Sequence, residues 1–428
     1  MERRSEGSKI SAIKAREILD SRGRPMVEVD VWTADGSMGR GSSPCGTSVG
    51  SHEAFVLRDG GKRFGGIGVK KAVQNVTEVI SRALIGRNVN DQRGIDKLMI
   101  ELDGTTDKSH LGANAIYSVS IAVARAAAHS LGLPLYRYIG GAGVGSLPIP
   151  MFNMINGGPY SDAQVEFQEF SMIPTSAGSY SEALRMGVEV FSEVPKRIEE
   201  RYGRQRVRAG HSGGYAAPVN EPAELFEILM EAAEAAGYGN MFSFHLDCAA
   251  SHFYDRKRAS YHFRGKEVSR EEMIQFLQDL VHSYPLLIVE DPLDEDDFEG
   301  YAEMTKRVNV FVAGDDLFVT NMERLKKGIS LGAGNAMVFK PNMIGTLSEA
   351  LDTVHYAKAH GYLIVPSSRV GGSIDDPIPE IAVAISAPLV KFGAPRTGER
   401  TNYQNRLLRI EEEFGESAQY FSLAALKR

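Results

Sequence analysis

The second half of the chain repeats one pattern: a short apolar run, a polar residue at its end, then an amphipathic stretch at helical spacing. The apolar runs stand at 242–246, 286–289, 309–313, 336–339 and 362–365. Buried strands that alternate with helices form parallel sheets, and a stretch of this length suits a closed barrel better than an open sheet. Ser269 with Glu272 and Thr346 with Glu349 have capping-box spacing, which predicts helices opening at 270 and 347.

The polar residues that close these runs are chemically specific. Asp247, Glu290, Asp315, Lys340 and then Ser367-Ser368-Arg369 stand at the ends of successive runs. In a barrel the carboxyl ends of the strands meet at one face, so these residues converge although they are distant in sequence. A single acidic residue after a strand is commonly a helix cap or a loop charge. A series in successive units is not accounted for that way. Three carboxylates without His or Cys companions suit a hard, oxygen-seeking ion, which points to Mg²⁺. A lysine beside such an ion should have a depressed pKa, as a general base requires.

The first part of the chain is built differently. Residues 8–60 alternate in the strand manner, clearest in 26–32, with Gly-rich breaks between runs, and predict an antiparallel meander. From 70 to 132 the period becomes helical, with Val73, Val76, Ile80 and Leu84 on one face and a small-residue helix over 113–128. Gly-rich 140–143 and Pro148 with Pro150 mark a boundary. The expected division is an α+β domain over 1–142 and a barrel domain over 143–428.

A net charge of -7 with no basic block argues against nucleic acid or an anionic membrane as partner. Two cysteines, Cys45 and Cys248, give no disulfide framework. The arginines near the amino terminus precede no apolar segment, and no apolar run approaches a membrane span, so a cytoplasmic protein is expected. No GxGxxG or GxxxxGK[ST] match favours a nucleotide-binding sheet.

Longer motifs carry a resemblance. AREILDSRG at 15–23, LGANA at 111–115, NGG at 156–158, QEF at 168–170 and SEALRMG at 181–187 are followed by EDP at 290–292 and GDDL at 314–317. IGTL at 344–347, GAP at 393–395 and LLRIEEE at 407–413 complete the series. The chain resembles the enolases from end to end. The resemblance implies an α/β fold with an N-terminal α+β capping domain and a C-terminal modified (β/α)8 TIM-type barrel, in a homodimer or higher homo-oligomer. It implies Asp247, Glu290 and Asp315 as Mg²⁺ ligands and Lys340 as the base that removes the proton α to a carboxylate, in keeping with the Lys or His base and Mg²⁺ of enolase-superfamily sites. It further implies Lys391 on the substrate carboxylate, Arg369 on the phosphate, Ser48 in a mobile loop at a second metal site, and Gln168 with Glu169 as a polar pair lining the pocket.

The chain also departs from the enolase pattern. The family's Gly-Asp-Glu-Gly-Gly stands as Gly210-His211-Ser212-Gly213-Gly214, so the glutamate that assists departure of the β-hydroxyl is Ser212. Ser-His-Arg-Ser stands as Ser367-Ser368-Arg369-Val370, which removes a pocket histidine at Ser368, and Tyr160 takes a second histidine position. The mobile loop reads Cys45-Gly46-Thr47-Ser48-Val49-Gly50. The changes gather on the hydroxyl and phosphate side. His211 and Ser212 are candidate catalytic groups there, and Ser48, Tyr160, Gln168, Glu169, Ser368, Arg369 and Lys391 candidate substrate contacts.

The expected activity is Mg²⁺-dependent enolate chemistry on a small phosphorylated or phosphonylated three-carbon acid. The altered side points to carboxyphosphonoenolpyruvate synthase, an enolase-like enzyme of phosphinate antibiotic pathways. The alternatives are phosphopyruvate hydratase, which dehydrates 2-phosphoglycerate to phosphoenolpyruvate, and a non-catalytic binding protein.

Overall fold

The computed structural model describes residues 6–46, 49–161, 164–210 and 212–422. Three antiparallel strands open the chain: β1 (Ile10–Leu19), β2 (Pro25–Thr33) and β3 (Met38–Ser42). Val27, Val29 and Val31 of β2 are fully buried and join the core that covers this sheet. Glu28 and Asp30, which alternate with them, are also buried, and ion pairs with Arg16 and Arg40 meet their charge. The small-residue helix expected near 113 is α1 (Ala113–Ser130), and its alanines let β3 lie directly on it. A Cβ at Gly39 would fall 2.1 Å from the Ala122 carbonyl oxygen, so only glycine permits that approach.

The helical segment at 70–84 is interrupted by a π-helical turn at Val76–Ile80. Val76, Ile80 and Leu84 are buried as the periodicity predicts, but ahead of the turn Ala72 takes the fully buried place and Val73 is half-buried. A π turn inserts a residue and shifts the helical phase, which a fixed period cannot anticipate.

Eight strands close the barrel: β4 (Ile149–Asn156), β5 (Glu169–Ile173), β6 (Ser243–Asp247), β7 (Leu286–Glu290), β8 (Phe311–Gly314), β9 (Ala336–Phe339), β10 (Leu363–Pro366) and β11 (Leu389–Lys391). Each pairs with its neighbour in that order, β11 returns to pair with β4, and a Ser367–Lys391 bridge joins β10 to β11. Ile149, Ile173, Ile288, Ala313, Val338, Val365 and Leu389 fill the interior.

The expectation of a wholly parallel sheet is corrected at β5, which runs antiparallel to both β4 and β6. Among the described residues no long helix joins β4 to β5, and the strand returns in the reverse direction. Ser269 forms the reciprocal capping box with Glu272. Thr346 caps only one way, because the Glu349 carboxylate reaches the Thr346 hydroxyl and buried Lys108 instead of the backbone.

After β3 the chain crosses to the carboxyl face of the barrel. There Ser51 donates to Glu295, and the Ala54 amide donates to the Met343 carbonyl at 2.8 Å. Among the described residues no single helix is long and apolar enough to cross a membrane.

Candidate active site

Asp247 and Glu290 end β6 and β7, Asp315 and Lys340 come directly after β8 and β9, Arg369 lies just past β10, and Lys391 ends β11. Because β5 is reversed, its first residue, Glu169, reaches the same face and pairs in register with Asp247. One cavity is lined by Gln168, Glu169, Ser212, Asp247, Asp315, Lys340, Ser367, Ser368, Arg369, Val370, Lys391, Gly393 and Arg400. Glu290 lies behind Lys391, fully buried. Ser48 and His211 lie outside the described residues, as does the side chain of Tyr160.

The charges are arranged in pairs. Lys391 Nζ stands 2.8 Å from Asp247 Oδ2, 2.7 Å from Glu290 Oε1 and 3.3 Å from Glu169 Oε2. Burial opposes the Lys391 charge, but these carboxylates outweigh it and raise its pKa well above the usual lysine range. Asp247 is pushed up to about 7 by burial and by the charge of Glu290. Asp315 receives Lys340 Nζ in an ion pair, and although burial opposes its charge, Lys340 and Lys391 hold it below the usual carboxylate range.

Around these groups a scaffold of buried polar contacts fixes orientation. His245 Nε2 lies 2.8 Å from Glu290 Oε2, and burial and the Lys391 charge pull the ring's pKa down to about 3. Asp291 adopts φ 42° and accepts from the Asp315 and Asp316 amides, at 2.9 Å each, and from the Tyr301 hydroxyl. The Lys340 amide donates to the Thr320 hydroxyl at 2.9 Å. Left-handed backbone at Asp291, Val319 and Thr320 therefore surrounds Asp315 and Lys340, the kind of strain that gathers at functional sites.

On the opposite chemical side of the pocket, Ser212 and Glu169 share the cavity wall. Burial works against the Glu169 charge, but Lys391 and Ser212 together keep its pKa below the usual range. Gln168 donates from Nε2 to Asp247 Oδ2 at 3.1 Å. The Arg369 guanidinium holds Glu53 in a bidentate pair at 2.8 and 3.1 Å.

Asp247, Glu290 and Asp315 thus share the site but are not drawn tightly together. Among the described residues the groups whose ligand atoms all lie within 4.8 Å of one another are Asp291 with Asp315 and Asp316, and His52 with Glu295 and Asp296. Within the sequence-derived trio, Lys391 stands between Asp247 and Glu290 and pairs with both. Its donor set still fits a hard divalent ion: it is all oxygen, and Asp315 Oδ1 is buried with no hydrogen-bond partner among the described residues.

Residues 144–428 match the family model for the enolase C-terminal TIM barrel domain, and residues 10–139 match that for the enolase N-terminal domain. The chain belongs to the enolase family. It is similar to the protein named Enolase from Thermococcus gammatolerans, 49% identical over 415 residues that cover 96% of each chain. The Enolase of Methanopyrus kandleri is 48% identical over 96% of this chain and 97% of its own. That of Methanococcus aeolicus is 50% identical over 94% and 95%.

Against the enolase motifs, three of the departures, Ser212, Ser368 and Val370, stand in the cavity wall. Cys45 is buried and its thiol pKa is raised by burial, the opposite of an activated nucleophile. His252 is exposed. Sequence reasoning missed Glu53, Asp291 and Arg400. Asp291 lies inside the EDP motif and was legible; Glu53 and Arg400 carry no local signal apart from their charge.

Proposed function

We propose that this enolase-family enzyme is a Mg²⁺-dependent lyase that interconverts 2-phosphoglycerate and phosphoenolpyruvate. The observation that carries this reading is the convergence of Lys340, Lys391 and Arg369 with Asp247 and Asp315 in one cavity, with Glu290 buried against Lys391. The names of relatives at 48–50% identity favour the hydratase over the synthase expected from the motif changes alone.

Lys340 removes the proton α to the substrate carboxylate. Removing such a proton builds negative charge, and fixed cations are what stabilise it in a water-poor pocket. Lys391 lies where it can meet the carboxylate, and the Arg369 guanidinium, oriented by Glu53, meets the phosphate. Asp247, Glu290 and Asp315 would hold Mg²⁺, which would supply further positive charge against the developing anion. Glu169, with Ser212 in the same cavity wall, faces the side from which the hydroxyl departs. The chain divides at 142/143, works in the cytoplasm and assembles as a homodimer or higher homo-oligomer in this reading.

Ser212 supports a second reading. A serine hydroxyl is a poor acid near neutral pH, and with Ser368 and Val370 it leaves the base half of the site complete and the hydroxyl and phosphate half altered. That pattern suits a carboxyphosphonoenolpyruvate synthase, whose substrate carries a bulkier phosphorus group. A phosphorus and proton NMR time course with 2-phosphoglycerate and Mg²⁺ in deuterated water separates the two. Conversion to phosphoenolpyruvate supports the hydratase. Exchange at C2 without dehydration, or no reaction at all, supports the diverted site, which phosphonoformate-type donors then test.

A further inference from the structure

We infer that Glu53 is the positioning residue of the anion corner: it fixes the Arg369 guanidinium and so sets this site's affinity for a phosphoryl group. The inference rests on the reading of Arg369 as the phosphate contact. Glu53 and Arg369 come from opposite parts of the chain, yet both side chains are only 3% exposed. Their two hydrogen bonds run from Nη1 to Oε2 at 2.8 Å and from Nη2 to Oε1 at 3.1 Å, the fork-to-fork geometry that fixes a guanidinium in plane as well as in place.

Glu53 is itself held. Its Oε1 accepts from the Gly50 amide at 3.0 Å, and Gly50 packs so closely on the barrel that a Cβ there would fall 2.7 Å from Asp316. Ser51, two residues earlier, is anchored on Glu295, and Ala54, one residue later, on Met343. The carboxylate is therefore presented from a backbone pinned on both flanks.

The other wall of Arg369 is backbone. Gly46 has φ +63°, and a Cβ there would lie 2.0 Å from Arg369 Nη2, so the guanidinium lies directly against the chain. Arg24 holds that wall, donating to the Gly46 carbonyl at 2.9 Å and to the Val370 carbonyl at 3.1 Å. A flexible cation loses rotamer freedom when it binds an anion; one already clamped has lost it beforehand. Buried Arg369 is raised above the usual guanidinium range by Glu53, although burial opposes its charge.

The test measures binding of inorganic phosphate to the full chain by calorimetry in wild type, E53Q, E53D, R369A and the E53Q/R369A double variant. The expected result is phosphate affinity about tenfold weaker in E53Q, partial recovery in E53D, and a double variant no weaker than R369A alone, as a residue acting through its partner requires. With a phosphorylated substrate the loss should appear in KM more than in kcat. Circular dichroism and melting of each variant separate loss of fold from loss of positioning. Unchanged or tighter phosphate binding in a folded E53Q overturns the inference and makes Glu53 a bystander or a competitor for Arg369. Absence of phosphate binding in the wild type overturns instead the reading of Arg369 as an anion site, and the inference with it.

Discussion

Lys391 Nζ lies 2.7 Å from Glu290 and 2.8 Å from Asp247, so a lysine serves as the internal cation of a carboxylate cluster that otherwise repels itself. Removing one partner of such a buried set leaves uncompensated charge, at a cost of about 3–5 kcal/mol. Lys391→Met should therefore lower the melting temperature of the metal-free protein markedly. Added Mg²⁺ should recover part of the loss, because a ligand that binds only the folded state stabilises it. A variant that melts with the wild type in the presence of a chelator refutes this role.

Lys340 reaches into the same pocket from the end of β9, its amide tied to Thr320 and its Nζ paired with Asp315. As the base, it should be irreplaceable for exchange of the substrate C2 proton. Lys340→Ala should slow that exchange in deuterated water by about 10³-fold. The variant should still bind Mg²⁺, since the carboxylates remain. Exchange near the wild-type rate would end the proton-abstraction model.

The base half of the site was legible because its residues end consecutive strands, and the barrel brings strand ends together whatever the loops do. Asp247, Glu290, Asp315 and Lys340 needed only the strand pattern to be located. Glu169 needed the reversal of β5, which no periodicity reveals: in a parallel strand its position at the start of the run would have placed it at the far end of the barrel. Glu53 was beyond reach for a different reason. Its partner is more than three hundred residues away, and a glutamate in a polar loop is unremarkable until the fold sets Arg369 against it. The 70–84 helix shows the same limit locally, where one π turn shifts the buried face.

Ser212 is buried and shares the cavity wall with Glu169, so restoring glutamate there would bring two carboxylates into one pocket. Like charges that share a site raise the pKa of one member, which creates a proton donor near neutral pH. Ser212→Glu should therefore increase conversion of 2-phosphoglycerate to phosphoenolpyruvate by about 10²-fold if the missing acid limits the wild type. The coupled NMR assay reads dehydration and C2 exchange together, and exchange should change little. No gain in dehydration would place the deficit at Ser368 and Val370 instead.

Asp376 offers a pH test away from the chemistry. Burial pushes its carboxyl from 3.8 up to about 6, while its Oδ1 accepts from the Ile378 amide at 2.9 Å. A folded-state pKa above the unfolded one means that the folded protein binds the proton more tightly. Its contribution is therefore most favourable below about pH 4, declines as pH rises to about 6 and is constant above that, a change of about 3 kcal/mol. Asp376→Asn keeps an oxygen for the Ile378 amide and carries no charge at any pH. The variant should be more stable than the wild type at pH 7 by an amount that shrinks toward pH 4, as measured by denaturant unfolding across that range. Parallel stability curves for the two proteins would show that Asp376 is ionised in the fold without penalty.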